Sequence, residues 1–273
     1  MPPTQDICSE LLATSKLRPF PSVALRLLHL IQQDDTSFDE LGDLLATDAA
    51  LSATVLRAAN SPLFGARYEI KSIPLSLATL GMERISLLIL AASALHTLPH
   101  SVASEHIRLW WRHNLATALL CKQLSDGGKE GSYMCGLLHS TGQLILSDAF
   151  PGRYENLLAE SAASGTQLLE LERNRFGTDH CEVGAAMLRK WNIPEDIVDA
   201  AACHHNPEEG MGKWTMLVHT ACLVANFLSF AVNPAAHVCL RDLPPLAQEV
   251  INNEQFCREI AQKVEALEAG LGA

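Results

Sequence analysis

Positive charge is scarce in this chain and nowhere gathered. Across 273 residues, 20 Lys and Arg face 31 Asp and Glu, a net charge of −11. It divides into about −3 over residues 1–98 (7 basic, 10 acidic) and −8 beyond (13 basic, 21 acidic). No segment forms the basic stripe that a phosphate backbone requires, which argues against nucleic acid as a partner. Long apolar runs are missing too. The longest, Ile85 to Leu95, covers about 11 residues and is interrupted by serines, too short to span a bilayer. Met1-Pro2-Pro3-Thr4-Gln5-Asp6 has neither a basic n-region nor an apolar stretch, so no secretory signal is expected. Eight cysteines stand at 8, 121, 135, 181, 203, 222, 239 and 257 without one Cys-x-x-Cys pair. Free core thiols in a reducing cytoplasm are the expectation. Val, Ile, Tyr and Phe are sparse beside Leu and Ala, a balance that disfavours strands.

What is present is helical period. Pro21-Ser22 opens a segment with Val23, Leu27 and Leu30/Ile31 on one face. Ser37-Phe38-Asp39-Glu40 has the form of a capping box. Asp48 can cap the next helix, with Leu51, Val55, Leu56 and Ala59 inward, and Asn60-Ser61-Pro62 should end it. Ile73-Pro74 starts a short helix that stops at Gly81, and Met82 to Leu98 reads as a long apolar one. Pro99-His100-Ser101 is the expected boundary between an N-terminal lobe (1–98) and a second lobe (99–273). Beyond it, helices are expected near 104–125, 133–148, 151–164, 167–175, 179–190, 194–204, 213–230 and 245–269. No segment has strand character. The fold class is all-α: a helical bundle of two lobes.

Eleven histidines are many for this length. His113, His139, His180, His204 and His205 stand out, separated by about 26, 41, 24 and 1 residues. Zinc fingers use compact spacings. Wide separations suit a bundle in which each helix sends one ligand inward. His113 and His139 are expected mid-helix, His180 in a first turn, and His204-His205 at a helix end before Asn206-Pro207. From spacing alone these can equally be core histidines bonded to backbone carbonyls, and both alternatives stand. Trp110-Trp111 point different ways on one helix, one toward the core and the other a candidate interface anchor.

Several ordered strings run from about Leu17 to the helix ending near Phe230. They begin with Leu17-Arg18-Pro19-Phe20-Pro21 and Asp48-Ala49-Ala50-Leu51-Ser52. The most specific runs from Leu56-Arg57-Ala58-Ala59-Asn60 through Ser61-Pro62-Leu63-Phe64-Gly65. Ile70-Lys71-Ser72-Ile73 and Ala78-Thr79-Leu80-Gly81 continue it. Trp111-Arg112-His113, Gly136-Leu137-Leu138-His139, Asp179-His180, Trp191-Asn192-Ile193-Pro194 and Cys203-His204-His205-Asn206-Pro207 complete the series. Together these strings resemble the HDOD family, the HD-related output domain of bacterial signalling proteins.

The resemblance implies a second lobe with an HD-superfamily-like helical core, similar to the HD and HD-GYP phosphohydrolases. It places His113, His139, His180, His204 and His205 at metal-ligand positions. It also implies an aspartate after the second histidine, where Ser140 stands, and a final aspartate that corresponds best to Asn226. Both carboxylates are missing. Two divalent ions about 3.5–4 Å apart need anionic ligands to offset their charge and generate hydroxide. Neutral imidazoles would leave about +4 uncompensated in a partly buried pocket. Mg²⁺ and Mn²⁺ should bind poorly, while one Zn, Ni or Fe ion could still sit at the histidine cluster, on His180, His204 and His205. No cofactor is otherwise expected.

The function implied is a non-catalytic, cytoplasmic signal-transduction module of bacterial type, a pseudo-enzyme acting through protein contacts. Its partners would be signalling proteins in trans, since no receiver, kinase or EAL-type segment is fused, with no nucleic acid and no membrane. Arg57, Asn60, Ser61 and Phe64 are the candidate partner or lobe interface. The alternatives are a metal-dependent phosphohydrolase using the remaining histidines, or a nucleotide- or phosphate-sensing pocket without turnover. The helix after Pro245, with Val250, Phe256, Ile260, Val264 and Leu267 on one face, is expected to pack back on the second lobe.

Overall fold

The computed structural model describes residues 4–15, 18, 21–31, 36–60, 69–96, 105–125, 130–164, 167–207, 212–232 and 243–271. These form helices and connections only, with no strand among the described residues. No single helix among them is long and apolar enough to cross a membrane. The chain groups into two units, one of residues 1–17 and 99–261, the other of residues 18–98 and 262–273. The single division expected after Leu98 assigns residues 1–17 and 262–273 differently. The first helix, α1 (Thr4–Thr14), was not anticipated; it packs on helices of the larger unit, with the Lys190 ammonium donating to the Leu12 carbonyl at 2.9 Å.

The smaller unit contains α2 (Ser22–Ile31), α3 (Phe38–Ala46), α4 (Ala49–Ala59), α5 (Ile73–Leu80) and α6 (Met82–His96). Local rules set their ends. The Ser37 hydroxyl accepts from the Glu40 amide at 3.1 Å while the Glu40 carboxylate accepts from the Ser37 amide at 3.2 Å, a reciprocal cap. Asp48 accepts from the amides of Ala50 and Leu51, both at 3.0 Å. Gly81, at φ 74°, ends α5 in a conformation that only glycine adopts without strain. In α4 the inward face is Leu51, Thr54, Val55, Ala58 and Ala59, with Leu56 half-buried.

The larger unit adds α7 (Glu105–Leu124), α8 (Glu130–Leu138), α9 (Thr141–Ala149), α10 (Arg153–Ser164), α11 (Leu168–Phe176), α12 (His180–Lys190), α13 (Glu195–Cys203), α14 (Lys213–Ala225) and α15 (Pro245–Asn252). Three expected helices are broken. The 133–148 helix turns a corner at His139-Ser140, where Ser140 leaves helical geometry at ψ 23°. Beyond α14, the chain widens into a π-helical turn (Asn226–Phe230) and leaves the helix at Ser229, φ 67°. The last helix is interrupted at Asn253 (φ −88°, ψ 84°), whose side chain accepts from the Phe256 amide at 3.1 Å and so caps α16 (Glu254–Leu271). Ile260, Val264 and Leu267 of α16 are buried, as is Val250 of α15.

Two glycines set the helix crossings around the corner. A β-carbon at Gly136 would lie 2.6 Å from the Ala118 Cα, so α8 can meet α7 at this distance only with hydrogen there. A β-carbon at Gly142 would lie 1.9 Å from the His180 carbonyl oxygen, and Gly184 faces it from α12. His139 therefore sits between two backbone-to-backbone contacts, one toward the helix of His113 and one toward the helix of His180.

Candidate metal centre

All five histidines converge. Ring centroids lie 5.3 Å apart for His113 and His139, 4.7 Å for His139 and His204, 5.5 Å for His180 and His204, and 5.0 Å for His180 and His205. His113, His139, His180 and His204 are buried, and His205 is exposed at the edge.

Each buried ring is oriented through its Nδ1. His113 Nδ1 donates to the Phe230 carbonyl at 3.1 Å, His139 Nδ1 to the Gly136 carbonyl at 2.7 Å, and His204 Nδ1 to the Ala201 carbonyl at 2.8 Å. A carbonyl can only accept, so these nitrogens carry the proton and the Nε2 lone pairs remain for another partner. That is how metal-ligating histidines are held. The π-helical turn matters here because it presents the Phe230 carbonyl to His113. His219, which has no ligand role in the sequence pattern, donates its Nδ1 proton to the His204 carbonyl at 2.7 Å and so steadies the α13 terminus.

His180 differs. Asp179 caps α12, accepting from the Glu182 amide at 2.9 Å and from Arg173 Nε at 2.7 Å. That places the His180 ring against Glu172 of α11. One Glu172 oxygen accepts from His180 Nδ1 at 2.7 Å and from the His180 amide at 3.0 Å; the other accepts from the Tyr154 hydroxyl at 2.5 Å. Burial, the largest single influence, disfavours a charge on His180, but Glu172 and Cys181 together outweigh it and raise the His180 pKa well above the ordinary value. His180 Nε2 and His205 Nε2 lie 3.1 Å apart, at hydrogen-bond distance. The other buried imidazoles go the opposite way: burial holds His113 at about 4 and pushes His139 and His204 well below the usual range.

Sequence reasoning missed Glu172, Cys181 and Cys222. Glu172 had a signal, since Leu169, Glu172 and Phe176 share the buried face of α11 and a fully buried glutamate there needs a partner. The cysteines had none beyond lying within four residues of an expected ligand position. Cys181 Sγ lies 3.7 Å from His204 Nδ1, and Cys222 Sγ 3.5 Å from His113 Nε2. Asn226 lies one turn along the helix from Cys222, and its amide meets the Cys222 sulfur at 4.0 Å. Ser140 donates to Asn114 Oδ1 at 3.0 Å, Asn114 donates to the Trp110 carbonyl at 2.7 Å, and the Trp110 indole donates back to the Ser140 carbonyl at 3.0 Å. The position of the absent aspartate is thus closed by a neutral ring of hydrogen bonds. Trp110 and Trp111 are both buried, so neither is an exposed anchor.

The smaller unit holds Arg57 and Asn60. Arg57 is exposed and donates to the Thr54 hydroxyl at 3.2 Å. The Asn60 amide group donates to the Leu56 and Ile70 carbonyls at 2.9 and 2.8 Å, and its oxygen accepts from the Ile70 amide at 2.7 Å. Asn60 therefore fastens the chain at Ile70 to the end of α4. Ser61 and Phe64 lie outside the described residues.

Among the described residues, two groups have ligand atoms mutually within 4.8 Å: His180, Cys181, His204 and His205, and His113, His139 and Cys222. Neither includes a carboxylate. Hard two-metal chemistry does not fit this donor set, which is one of nitrogen and sulfur.

The HDOD domain model matches residues 17–207. The chain belongs to the HDOD family. An HDOD domain protein of unknown function from Geobacter sulfurreducens superposes with a TM-score of 0.71 at 24% identity, covering 96% of this chain and 97% of that one. A candidate phosphohydrolase from Shewanella amazonensis SB2B gives 0.69 at 20% identity, with 97% of each chain covered. A candidate signal-transduction protein from Marinobacter aquaeolei VT8 gives 0.73 at 19%, covering 98% of this chain and 65% of that one. These likenesses establish the HDOD fold. An uncharacterized protein of Treponema pallidum (strain Nichols) is 26% identical over 214 residues, and the chain spans 42% of that relative's length.

Proposed function

We propose that this HDOD protein is a non-catalytic, cytoplasmic signal-transduction module that acts through contacts with signalling proteins in trans. The observation that carries the reading is the closed Trp110–Ser140–Asn114 ring at the position where an HD hydrolase would present a carboxylate. Among the described residues, the one carboxylate bonded to a cluster imidazole, Glu172, stands behind His180 on its Nδ1 side. Without an anionic oxygen among the ligand atoms, Mg²⁺ or Mn²⁺ has little to hold it, and nothing bridges two ions or generates hydroxide.

The test is turnover of phosphomonoester, phosphodiester and cyclic-dinucleotide substrates with Mg²⁺, Mn²⁺, Ni²⁺ or Fe²⁺. No turnover above the buffer rate is expected. Turnover that disappears in His139→Ala or His204→Ala would overturn the reading in favour of a phosphohydrolase. Cross-linking in the native cell should recover a defined signalling partner, and its absence under every growth condition would count against the protein-contact role.

A further inference from the structure

Cys222 faces a nitrogen with a free lone pair. His113 Nδ1 and His139 Nδ1 already donate to backbone carbonyls, so both rings turn Nε2 toward the same space, and Cys222 Sγ from α14 enters it 3.5 Å from His113 Nε2. All three residues are buried. Bonds of about 2.3 Å to sulfur and 2.0–2.1 Å to nitrogen, at a tetrahedral angle, put sulfur and nitrogen about 3.5 Å apart. The 3.5 Å between Cys222 Sγ and His113 Nε2 is that of one edge of a tetrahedral zinc site, and the ligand atoms of all three residues lie within 4.8 Å of one another. From these observations we infer that His113, His139 and Cys222 form a mononuclear site for one thiophilic ion of the Zn²⁺ class, with the Cys222 thiolate as its single anionic ligand.

The chemistry decides against the neighbouring group. Cys181 Sγ faces His204 Nδ1, a nitrogen whose proton is already given to the Ala201 carbonyl, and His180 has both nitrogens engaged. Cys222 instead hydrogen-bonds its thiol to an acceptor, and an incoming ion replaces that proton on sulfur. The thiol proton leaves to solvent, and one unit of the ion's charge is neutralised in place. Three protein ligands leave the fourth tetrahedral position open. An exchange of oxygen for sulfur donors also changes the ion selected, from Mg²⁺ and Mn²⁺ toward Zn²⁺. An ion held this way is independent of the signalling role proposed above, and its loss leaves that role standing.

Wild-type protein purified under reducing conditions, without chelator or nickel affinity, is titrated with Zn²⁺ and with Co²⁺ as the spectroscopic probe. One ion per chain, one proton released per ion and a thiolate-to-cobalt charge-transfer band are expected. Cys222→Ser should remove the band and weaken Zn²⁺ at least tenfold, Cys222→Asp should bind without the band and gain relative preference for Mn²⁺, and Cys181→Ser should behave as wild type. Circular dichroism melts of the metal-free variants separate loss of ligand from loss of fold; if Cys222→Ser is unfolded, Cys222→Asp and the wild-type band still decide. No uptake by folded wild type, or a band that survives Cys222→Ser and vanishes in Cys181→Ser, overturns the assignment.

Discussion

Replacing Gly142 with alanine tests the geometry that brings the histidines together. The added β-carbon would lie 1.9 Å from the His180 carbonyl oxygen and 2.8 Å from the Gly184 amide nitrogen, whereas ordinary contacts begin near 3.4 Å. The obstacle is backbone, not the end of a flexible side chain, so α9 and α12 must separate by about 1.5 Å. Overpacking of this kind costs about 1–3 kcal/mol, and a rigid backbone obstacle belongs at the upper end. Alanine returns up to about 1 kcal/mol through its better helix propensity. The net is a loss of about 2 kcal/mol, or a melting temperature lower by about 4–8 °C for a chain of this size. Gly131→Ala is the matched control. It adds the same atom to α8, but against the Trp214 side chain at an ordinary 3.7 Å, so its melting temperature should stay level or rise. Both are read by thermal melts followed by circular dichroism. If Gly142→Ala melts with the wild type or above it, the α9–α12 contact is not what holds His139 against the cluster.

The pH dependence has a defined direction. His113 stays neutral in the fold down to about 4, while an unfolded histidine takes up its proton near 6.5. The unfolded chain binds more protons in that window, so stability should fall as pH drops from about 6.5 to about 4, by about 3 kcal/mol from His113 alone. His139 and His204 add to the fall. His180, raised by Glu172, contributes stability that is full below about pH 6.5 and is lost as pH climbs through its folded pKa. Glu172→Gln should cost about 3 kcal/mol in denaturant unfolding and flatten the alkaline limb; an unchanged limb would remove Glu172 as the cause. Tyr154→Phe leaves one Glu172 oxygen short of a donor and should cost about 1–3 kcal/mol, measured the same way, with no loss refuting the bond. Asn60→Ala should speed hydrogen exchange at the Ile70 amide, whose acceptor it removes, and exchange at the wild-type rate would contradict the tie.

Caps and breakers made the smaller unit legible. Ser37, Asp48 and Gly81 each act within four residues of themselves, so their consequences can be read from a short string. Spacing singled out the five histidines, family resemblance gave them a ligand role, and their convergence needs packing that no local rule supplies. The corner at His139 was hidden because Leu137, Leu138, Leu144 and Ile145 continue an apolar period straight through it. What bends the chain is the pair of close approaches at Gly136 and Gly142, which depend on residues tens of positions away. Cys222 was overlooked for a related reason. The sequence aligned a carboxylate with Asn226, but the π-helical turn that begins at Asn226 leaves the preceding turn of α14 facing His113.

Gly136 and Gly142 also change what a short string can be used to recognise. Each glycine is needed wherever helices cross at these distances, and His139 falls between them because the corner does. A chain can exchange its aspartate for Ser140, close the gap with Asn114 and Trp110, and still keep glycine, two leucines and histidine in order for mechanical reasons. A search keyed to that string therefore collects proteins by how their helices meet, and the residue after the histidine reports whether an anionic oxygen is there to hold Mg²⁺ or Mn²⁺.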